Sequence, residues 1–279
     1  EDRGRLGGMT FLFSGLGVLV IGFLISTSTF AVSVLILTLL RGIGLILFLL
    51  LSRDKEHRQS MVDVSYKSVL FNRSLLLYLI PWLMFCLVNF FEMPMLRSAS
   101  SILFGESFTF LVPIAEFGIA GLVALVAGAF ADSIGRKRIV IFGFMVLGIA
   151  YAILGIFPNE TLSWYLLIIL DGIAWGVFSL MFFLVIWADL AGDHIKEKYY
   201  LIGVLPFLIS SYMQIFLTPY AEFVPVSTAF SLASFFLFLA VLPLLLAPET
   251  LSEKEIEKKR LKKYLEDVKK IKNKHERKK

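Results

Sequence analysis

The sequence has little of what a soluble enzyme uses to build an active site. Its 279 residues include one cysteine and three histidines, and only 18% of them are charged. Because Cys86 stands alone, the chain can form neither an intramolecular disulfide nor a cysteine-rich zinc site. The sequence also lacks a Ser-His-Asp, His-Glu-x-x-His or P-loop arrangement, and its histidines all lie in charged segments. We therefore expect a protein that is not an enzyme and that uses no cofactor or metal.

Apolar residues dominate the composition instead. The chain is 58% hydrophobic and 14% aromatic, with a mean hydropathy of +0.81, whereas soluble domains are about 45–50% apolar. The formal net charge of +5 does not indicate a nucleic-acid partner, because the basic excess is confined to the tail. Residues 250–279 hold 13 of the 27 Lys and Arg residues but only 6 of the 22 Asp and Glu residues. The rest of the chain is slightly acidic, and its composition predicts an integral membrane protein.

Apolar runs long enough to cross a membrane recur along the chain. A transmembrane helix needs about 20 residues to cover about 30 Å of hydrocarbon. Runs of that kind cover residues 9–26, 29–51, 74–96, 107–131, 139–157, 163–188, 199–218 and 225–247. Apart from Arg97, the cations between these runs fall on alternate connections, which the positive-inside rule assigns to the cytoplasm. We predict an all-α bundle of eight transmembrane helices in the plasma membrane, with both ends of this chain cytoplasmic.

One predicted cytoplasmic turn carries a motif with several recognisable parts. Residues 128–138 read Gly-Ala-Phe-Ala-Asp-Ser-Ile-Gly-Arg-Lys-Arg. Gly128 and Gly135 allow helix ends to approach closely or the backbone to adopt a positive φ. Asp132 can accept hydrogen bonds from the free N–H groups at the start of a neighbouring helix. The motif ends in three adjacent cations that anchor it on the cytoplasmic side: Arg136, Lys137 and Arg138.

The pattern Gly-x3-Asp-x2-Gly-Arg-Lys-Arg between two spans resembles the cytoplasmic loop motif of the major facilitator superfamily of secondary transporters. That family carries the motif after its second helix and, more loosely, after its eighth. Ser133 stands where the family usually has Arg or Lys, which fits the looser copy. Pro248-Glu249-Thr250 also resembles the Pro-Glu-Thr that closes the last helix of sugar porters, although the glycine-containing continuation is absent. The alternative is a generic basic loop that only anchors the topology.

The resemblance implies an organisation for the whole chain. The family has twelve helices in two six-helix halves, joined by a long cytoplasmic linker after helix six. The eight spans then occupy the positions of helices five to twelve, and the four missing helices of the same protein are expected partners. On this interpretation residues 1–51 are the last two helices of an incomplete N-terminal half, and residues 52–73 are a cytoplasmic linker. Residues 74–247 form a complete C-terminal half, and residues 248–279 are a basic cytoplasmic tail.

Charged side chains inside the spans are candidates for a substrate or proton-coupling site. Each costs at least about 2.5–3.5 kcal/mol at membrane depth, which favours positions facing a cavity or a partner. Glu116, Asp171 and Arg41 lie near the middle of their predicted spans, whereas Glu92 is expected to be shallower. The resemblance implies that Glu116 and Asp171 line the central cavity and that Arg41 is peripheral. The alternative for each residue is a buried structural hydrogen bond or ion pair. Neutral or aromatic contacts to a solute could come from Asn89, Gln214, Trp175 and Tyr212.

Two further segments lead to structural expectations. The resemblance implies that Asp132 braces one half of the protein against the other, by meeting the start of the first span around residues 5–8. The alternative is that Asp132 only caps its own turn. The tail carries apolar residues at near-helical spacing among lysines and glutamates, which fits either a helix bound to membrane lipids or a solvated helix.

These observations support two functions of different classes. We expect transport of a small-molecule substrate by alternating access, either as a uniporter or coupled to protons or another ion. The alternative is an eight-span scaffold or accessory protein without transport activity. The membrane is the expected environment in both cases, and neither function involves nucleic acid.

Overall fold

The computed structural model describes residues 3–27, 65–191 and 196–250, together with isolated positions between residues 32 and 46 and Leu261. Regular structure in these parts of the chain is entirely helical. Seven helices there are long and apolar enough to cross a membrane, which confirms the all-α, membrane-spanning class predicted from composition. Most of the predicted span at residues 29–51, most of the linker at residues 52–73 and nearly all of the tail lie outside the described residues.

The described chain forms nine α-helices, α1 to α9. In order these are Arg3–Thr27, Tyr66–Leu70, Arg73–Phe104, Glu106–Ile134, Arg136–Ile156, Thr161–Leu180, Ile186–Ala191, Lys196–Leu217 and Val226–Leu246. A π-helical segment, Met181–Val185, joins α6 to α7, so that Thr161–Ala191 acts as one span. A 3-10 helix, Thr218–Phe223, follows α8.

Tight turns join the long helices. Gly105 and Gly135 adopt φ values of 84° and 108°, a region in which a side chain is strained. Each of them separates two helices by a single residue. The sequence predicted a connection over residues 97–107, and that boundary is wrong, because α3 continues to Phe104. At about 1.5 Å per residue α3 is about 48 Å long, which exceeds the hydrocarbon thickness of about 30 Å.

The long helices alternate in direction and place the cationic turns together. Arg3, Arg136 and Lys196 begin α1, α5 and α8, and side chains of the first two meet the same carboxylate at the end of α7. We call this end of the bundle the basic end. The opposite end carries the Gly105 turn and the connection between α5 and α6. This separation matches the two-sided distribution of cations predicted from the sequence.

Large aromatic side chains fill the interior of the bundle. Trp82 is fully buried and stacks on Phe182 of the π-helical segment, with ring centroids 4.5 Å apart. Its indole N–H donates a hydrogen bond to the Gly203 carbonyl at 2.9 Å. Phe85 and Phe178 continue the cluster at 4.6 Å. These contacts tie α3 to α6, α8 and the π-helical segment around one core.

Helices α1 and α4 approach each other backbone to backbone. A Cβ atom added to Gly4 would lie 2.6 Å from the Gly128 carbonyl oxygen, and one added to Gly8 would lie 2.6 Å from the Ala124 carbonyl oxygen. Further along α1, a Cβ on Gly15 would lie 2.8 Å from Cα of the facing glycine. Stripes of small residues allow this kind of packing between membrane helices. The contact therefore depends on glycine at several successive turns.

Replacing Gly128 by alanine is expected to lower the free energy of unfolding by about 1 kcal/mol, the lower end of the usual effect of overpacking. The added methyl group would overlap the Gly4 carbonyl oxygen, so α1 would have to move away from α4. Gly17→Ala is the matched control on α1, because nothing lies within 4 Å of its added Cβ. Thermal unfolding of the purified variants in detergent measures both effects. Equal melting temperatures for the two variants would contradict a tight contact at Gly128.

Candidate functional site

A cavity of about 90 Å³ lies between α3, α4, α5 and α6. Its polar lining comes from different helices and includes Asn89, Glu92, Glu116, Tyr151 and Asp171. Ser100 and Thr109, near the Gly105 turn, also line it, so the cavity extends towards the opposite end of the bundle. The structure thus brings together three carboxylates that are far apart in the sequence.

Three of the lining side chains are buried and carry a polar atom without a hydrogen-bond partner. Asn89, Glu92 and Asp171 are only 6%, 2% and 7% exposed. Within the described part of the chain, Asn89 Nδ2, Glu92 Oε2 and Asp171 Oδ1 have no hydrogen-bond partner. Buried polar atoms in folded proteins nearly always have one, and an exception requires an explanation. Other unpartnered atoms in the described chain lie away from the cavity, on Arg136, Trp187 and Ser210. The three in the cavity lie on side chains that line one space, which favours a binding site over the alternative of structural hydrogen bonds.

The structure places Glu92 beside the other two carboxylates. The sequence ended its span at residue 96 and predicted a shallower position for it, but α3 continues to Phe104. Measured along the helix axis at 1.5 Å per residue, Glu92 lies about 18 Å from that helix end. Glu116 and Asp171 each lie about 15 Å from the start of α4 and α6. All three line the same cavity, and Glu92 is nearly completely buried.

Among the described residues, the structure places only one of the other candidates in the cavity. Trp175 lines the cavity beside the carboxylates. Gln214 is half-buried on α8 but is not among the described residues that line the cavity. Tyr212 is 64% exposed on the same helix, which fits a lipid-facing side chain better than a solute contact. Arg41 lies outside the described residues.

A second polar cluster closes the basic end. Asp132 is buried and accepts hydrogen bonds from the backbone N–H groups of Gly4 at 3.2 Å and Arg5 at 3.0 Å. These donors belong to the first turn of α1, where N–H groups have no partner within the helix. The contact predicted between Asp132 and the start of the first span is confirmed at Arg5 and extends to Gly4. Asp132 therefore does more than cap its own turn.

The same cluster contains a buried ion-pair network. Arg136 is only 2% exposed and lies between two carboxylates, with its guanidinium 3.4 Å from Asp132 Oδ1 and 2.6 Å from Asp189 Oδ2. Arg3 reaches Asp189 Oδ1 at 3.0 Å. This chain of charges connects α1 with α4, α5 and α7. Arg136 is thus a buried structural cation, whereas Arg138, two residues further along α5, is exposed.

A carboxylate after the last helix completes the cluster. Glu249 Oε1 accepts hydrogen bonds from the backbone N–H groups of Arg136 at 2.8 Å and Lys137 at 3.4 Å, at the start of α5. Lys137 in turn donates to the carbonyl oxygens of Leu245 and Ala247 at 2.9 and 2.8 Å. Each charged side chain thus meets the helix end of opposite partial charge. These contacts hold α5 and α9 together at the basic end.

Sequence reasoning missed the roles of Asp189 and Glu249. Asp189 follows a long apolar run and resembles an ordinary charged residue at the end of a span. Glu249 was noted only within a three-residue resemblance to sugar porters. Each is separated by many residues from its partners in the cluster, and only the fold brings them together. A useful signal in the sequence was the presence of both carboxylates on the same predicted side as the Arg-Lys-Arg turn.

No protein-family model and no curated protein matches the chain.

Proposed function

We propose that this chain is part of a secondary transporter of the major facilitator type, which moves a small solute across the plasma membrane by alternating access. The observation that carries the proposal is the contrast between the two ends of the bundle. One end holds a dense network around Asp132 and Arg136, and a cavity with unpartnered buried polar atoms extends towards the other. A transporter with a closed cytoplasmic side and a solute site accessible from outside has this arrangement.

The basic end is the proposed cytoplasmic gate. The cations at this end support a cytoplasmic location under the positive-inside rule. Asp132 binds the start of α1, and Gly128 allows α1 and α4 to approach closely enough for that contact. In the family, the helix at the position of α1 belongs to the N-terminal half and α4 to the C-terminal half. We propose that Asp132 acts across the interface of the two halves, with the rest of the conformational motif supporting it: Gly135, Arg136, Lys137 and Arg138.

In the full-length transporter, Glu92→Gln, Glu116→Gln and Asp171→Asn are each expected to lower the transport rate several-fold. The three carboxylates line one cavity, so we expect the effect of Glu92→Gln to be as large as those of the other two. Glu160→Gln is the matched control, since Glu160 is exposed in the connection between α5 and α6. Solute flux into proteoliposomes, screened over solute classes and normalised to folded protein, measures the rates.

The same assay tests the scaffold alternative. A scaffold needs no solute site, so its proteoliposomes should show no flux above protein-free vesicles for any solute class, with or without a pH gradient. That result would contradict the proposed transport. Flux that the cavity variants do not change would instead place the solute site elsewhere in the protein.

A further inference from the structure

We propose that the cavity selects a small organic ammonium ion as its ligand; this inference names the substrate class of the transporter proposed above and rests on that proposal. The argument uses the charge of the cavity, its unpartnered atoms, its aromatic lining and its size. Each of these is a property of the described residues between α3, α4, α5 and α6.

The charge of the lining favours a cation. Glu92, Glu116 and Asp171 all contribute carboxyl groups. Arg97 is the one basic residue among the described lining residues, and it is exposed about one and a half turns nearer to the end of α3 than Glu92. A buried carboxylate without a partner cation is strongly disfavoured. No described lining residue supplies a cation beside these carboxylates, so a positively charged ligand would be that partner.

The unpartnered atoms match an ammonium group. Glu92 Oε2 and Asp171 Oδ1 are acceptors on two different helices, α3 and α6. An ammonium group offers up to three donors that point in different directions, so one group can bind to both oxygens. The third unpartnered atom, Asn89 Nδ2, is itself a donor, so it would bind an acceptor elsewhere on the ligand, such as a hydroxyl oxygen, and not the ammonium group. An anionic ligand would leave the two carboxylate oxygens without donors.

The aromatic and geometric features favour an organic cation over a metal ion. Trp175 and Tyr151 line the same cavity, and aromatic faces attract ammonium groups. Among the described residues, no group of three His, Cys, Asp or Glu side chains is arranged to hold a metal ion. The cavity volume of about 90 Å³ suits a ligand with several atoms.

The size of the cavity limits the ligand. A site for one water takes roughly 10–15 Å³ on this measure, so about 90 Å³ holds about six to nine water-sized groups. Ligands of up to about nine non-hydrogen atoms therefore fit, which includes amines of four to eight carbon atoms and short diamines. We therefore use 1-aminobutane and 1,4-diaminobutane as probes, and 1-butanol as the neutral probe of matched shape.

Thermal unfolding of the purified full-length protein in detergent tests the inference. A ligand that binds only the folded state raises the melting temperature in a concentration-dependent way. We expect at least one amine to raise it by several degrees and 1-butanol to leave it unchanged. Glu92→Gln and Asp171→Asn should each abolish the rise, while Glu160→Gln should keep it. The comparison of amines with 1-butanol needs no variant, so it holds even if a cavity variant fails to fold.

Two results would overturn the inference: no rise with either amine, or an equal rise with 1-butanol. A rise that both folded cavity variants retain would also overturn it, because the amine would then bind elsewhere. Proteoliposome flux separates this inference from the proposed function. Amine binding without flux of any solute would support the cation site and contradict the proposed transport. Flux of another solute without amine binding would contradict only the cation site.

Discussion

Arg136→Gln is expected to lower the free energy of unfolding by about 3–5 kcal/mol, the usual effect of removing one partner from a buried ion pair. Arg136 is 2% exposed, and its guanidinium lies against Asp132 and Asp189, whose side chains are 2% and 9% exposed. Glutamine would leave both carboxylates at these buried positions without their shared cation. Arg3 still reaches Asp189, but it is 40% exposed and does not replace the charge beside Asp132. Chemical unfolding in detergent micelles measures the change.

Two further variants separate the ion-pair network from general effects of charge. Arg138→Gln removes an exposed cation two residues away and should change the free energy of unfolding by no more than about 0.5 kcal/mol. Adding Asp189→Asn to Arg136→Gln removes one of the two buried carboxylates that have lost their shared cation, so the double variant should be more stable than Arg136→Gln alone. Equal destabilisation by Arg136→Gln and Arg138→Gln would contradict a structural role for the buried guanidinium.

The sequence allowed the membrane class, most spans and one long-range contact to be predicted. Long apolar runs identified the helices because hydrocarbon requires them to be continuous. The contact of Asp132 with the start of α1 was implied by the resemblance to the major facilitator superfamily, and it places a carboxylate where a helix end carries free N–H groups. The spans were thus predicted from local composition, whereas the contact was predicted from the resemblance.

The end of α3 could not be predicted in the same way. Arg97 and the serines that follow it resemble a polar connection, and the span was therefore ended at residue 96. In the structure the polar side chains bind within the helix and to α4: Ser100 donates to the Arg97 carbonyl at 3.1 Å and lies 2.9 Å from the Thr109 hydroxyl. Because these polar side chains have hydrogen-bond partners, the segment remains helical.

The clustering of charges depends on tertiary packing. Each carboxylate of the cavity was visible as an intramembrane charge, but no local pattern says which helices face one another. The same holds for Asp189 and Glu249, whose partners lie on helices distant in the sequence. Sequence patterns thus identified which residues are costly to bury, and the helix packing determines which of them share a site.

Asp132→Asn is expected to increase the population of the inward-open state of the full-length transporter by about 5- to 30-fold relative to the closed state. The carboxylate of Asp132 faces two N–H groups and the positive end of the α1 dipole. Such a contact contributes about 0.3–1 kcal/mol when exposed and up to about 2 kcal/mol when partly buried. Since it exists only while the basic end is closed, losing 1–2 kcal/mol shifts the equilibrium by roughly that factor.

Distances between spin labels on α1 and α4 measure this shift. Cysteines introduced at Leu6 and Phe130 are suitable label sites, because both side chains are exposed near the basic end and the native Cys86 is buried. In Asp132→Asn the population with the longer distance between the labels should increase. Ser133→Ala should leave the distribution unchanged, since among the described residues the Ser133 hydroxyl donates to the Phe130 carbonyl of its own helix. An unchanged distribution in Asp132→Asn, accompanied by a lower melting temperature, would mean that Asp132 stabilises the fold without favouring either conformation of the transporter.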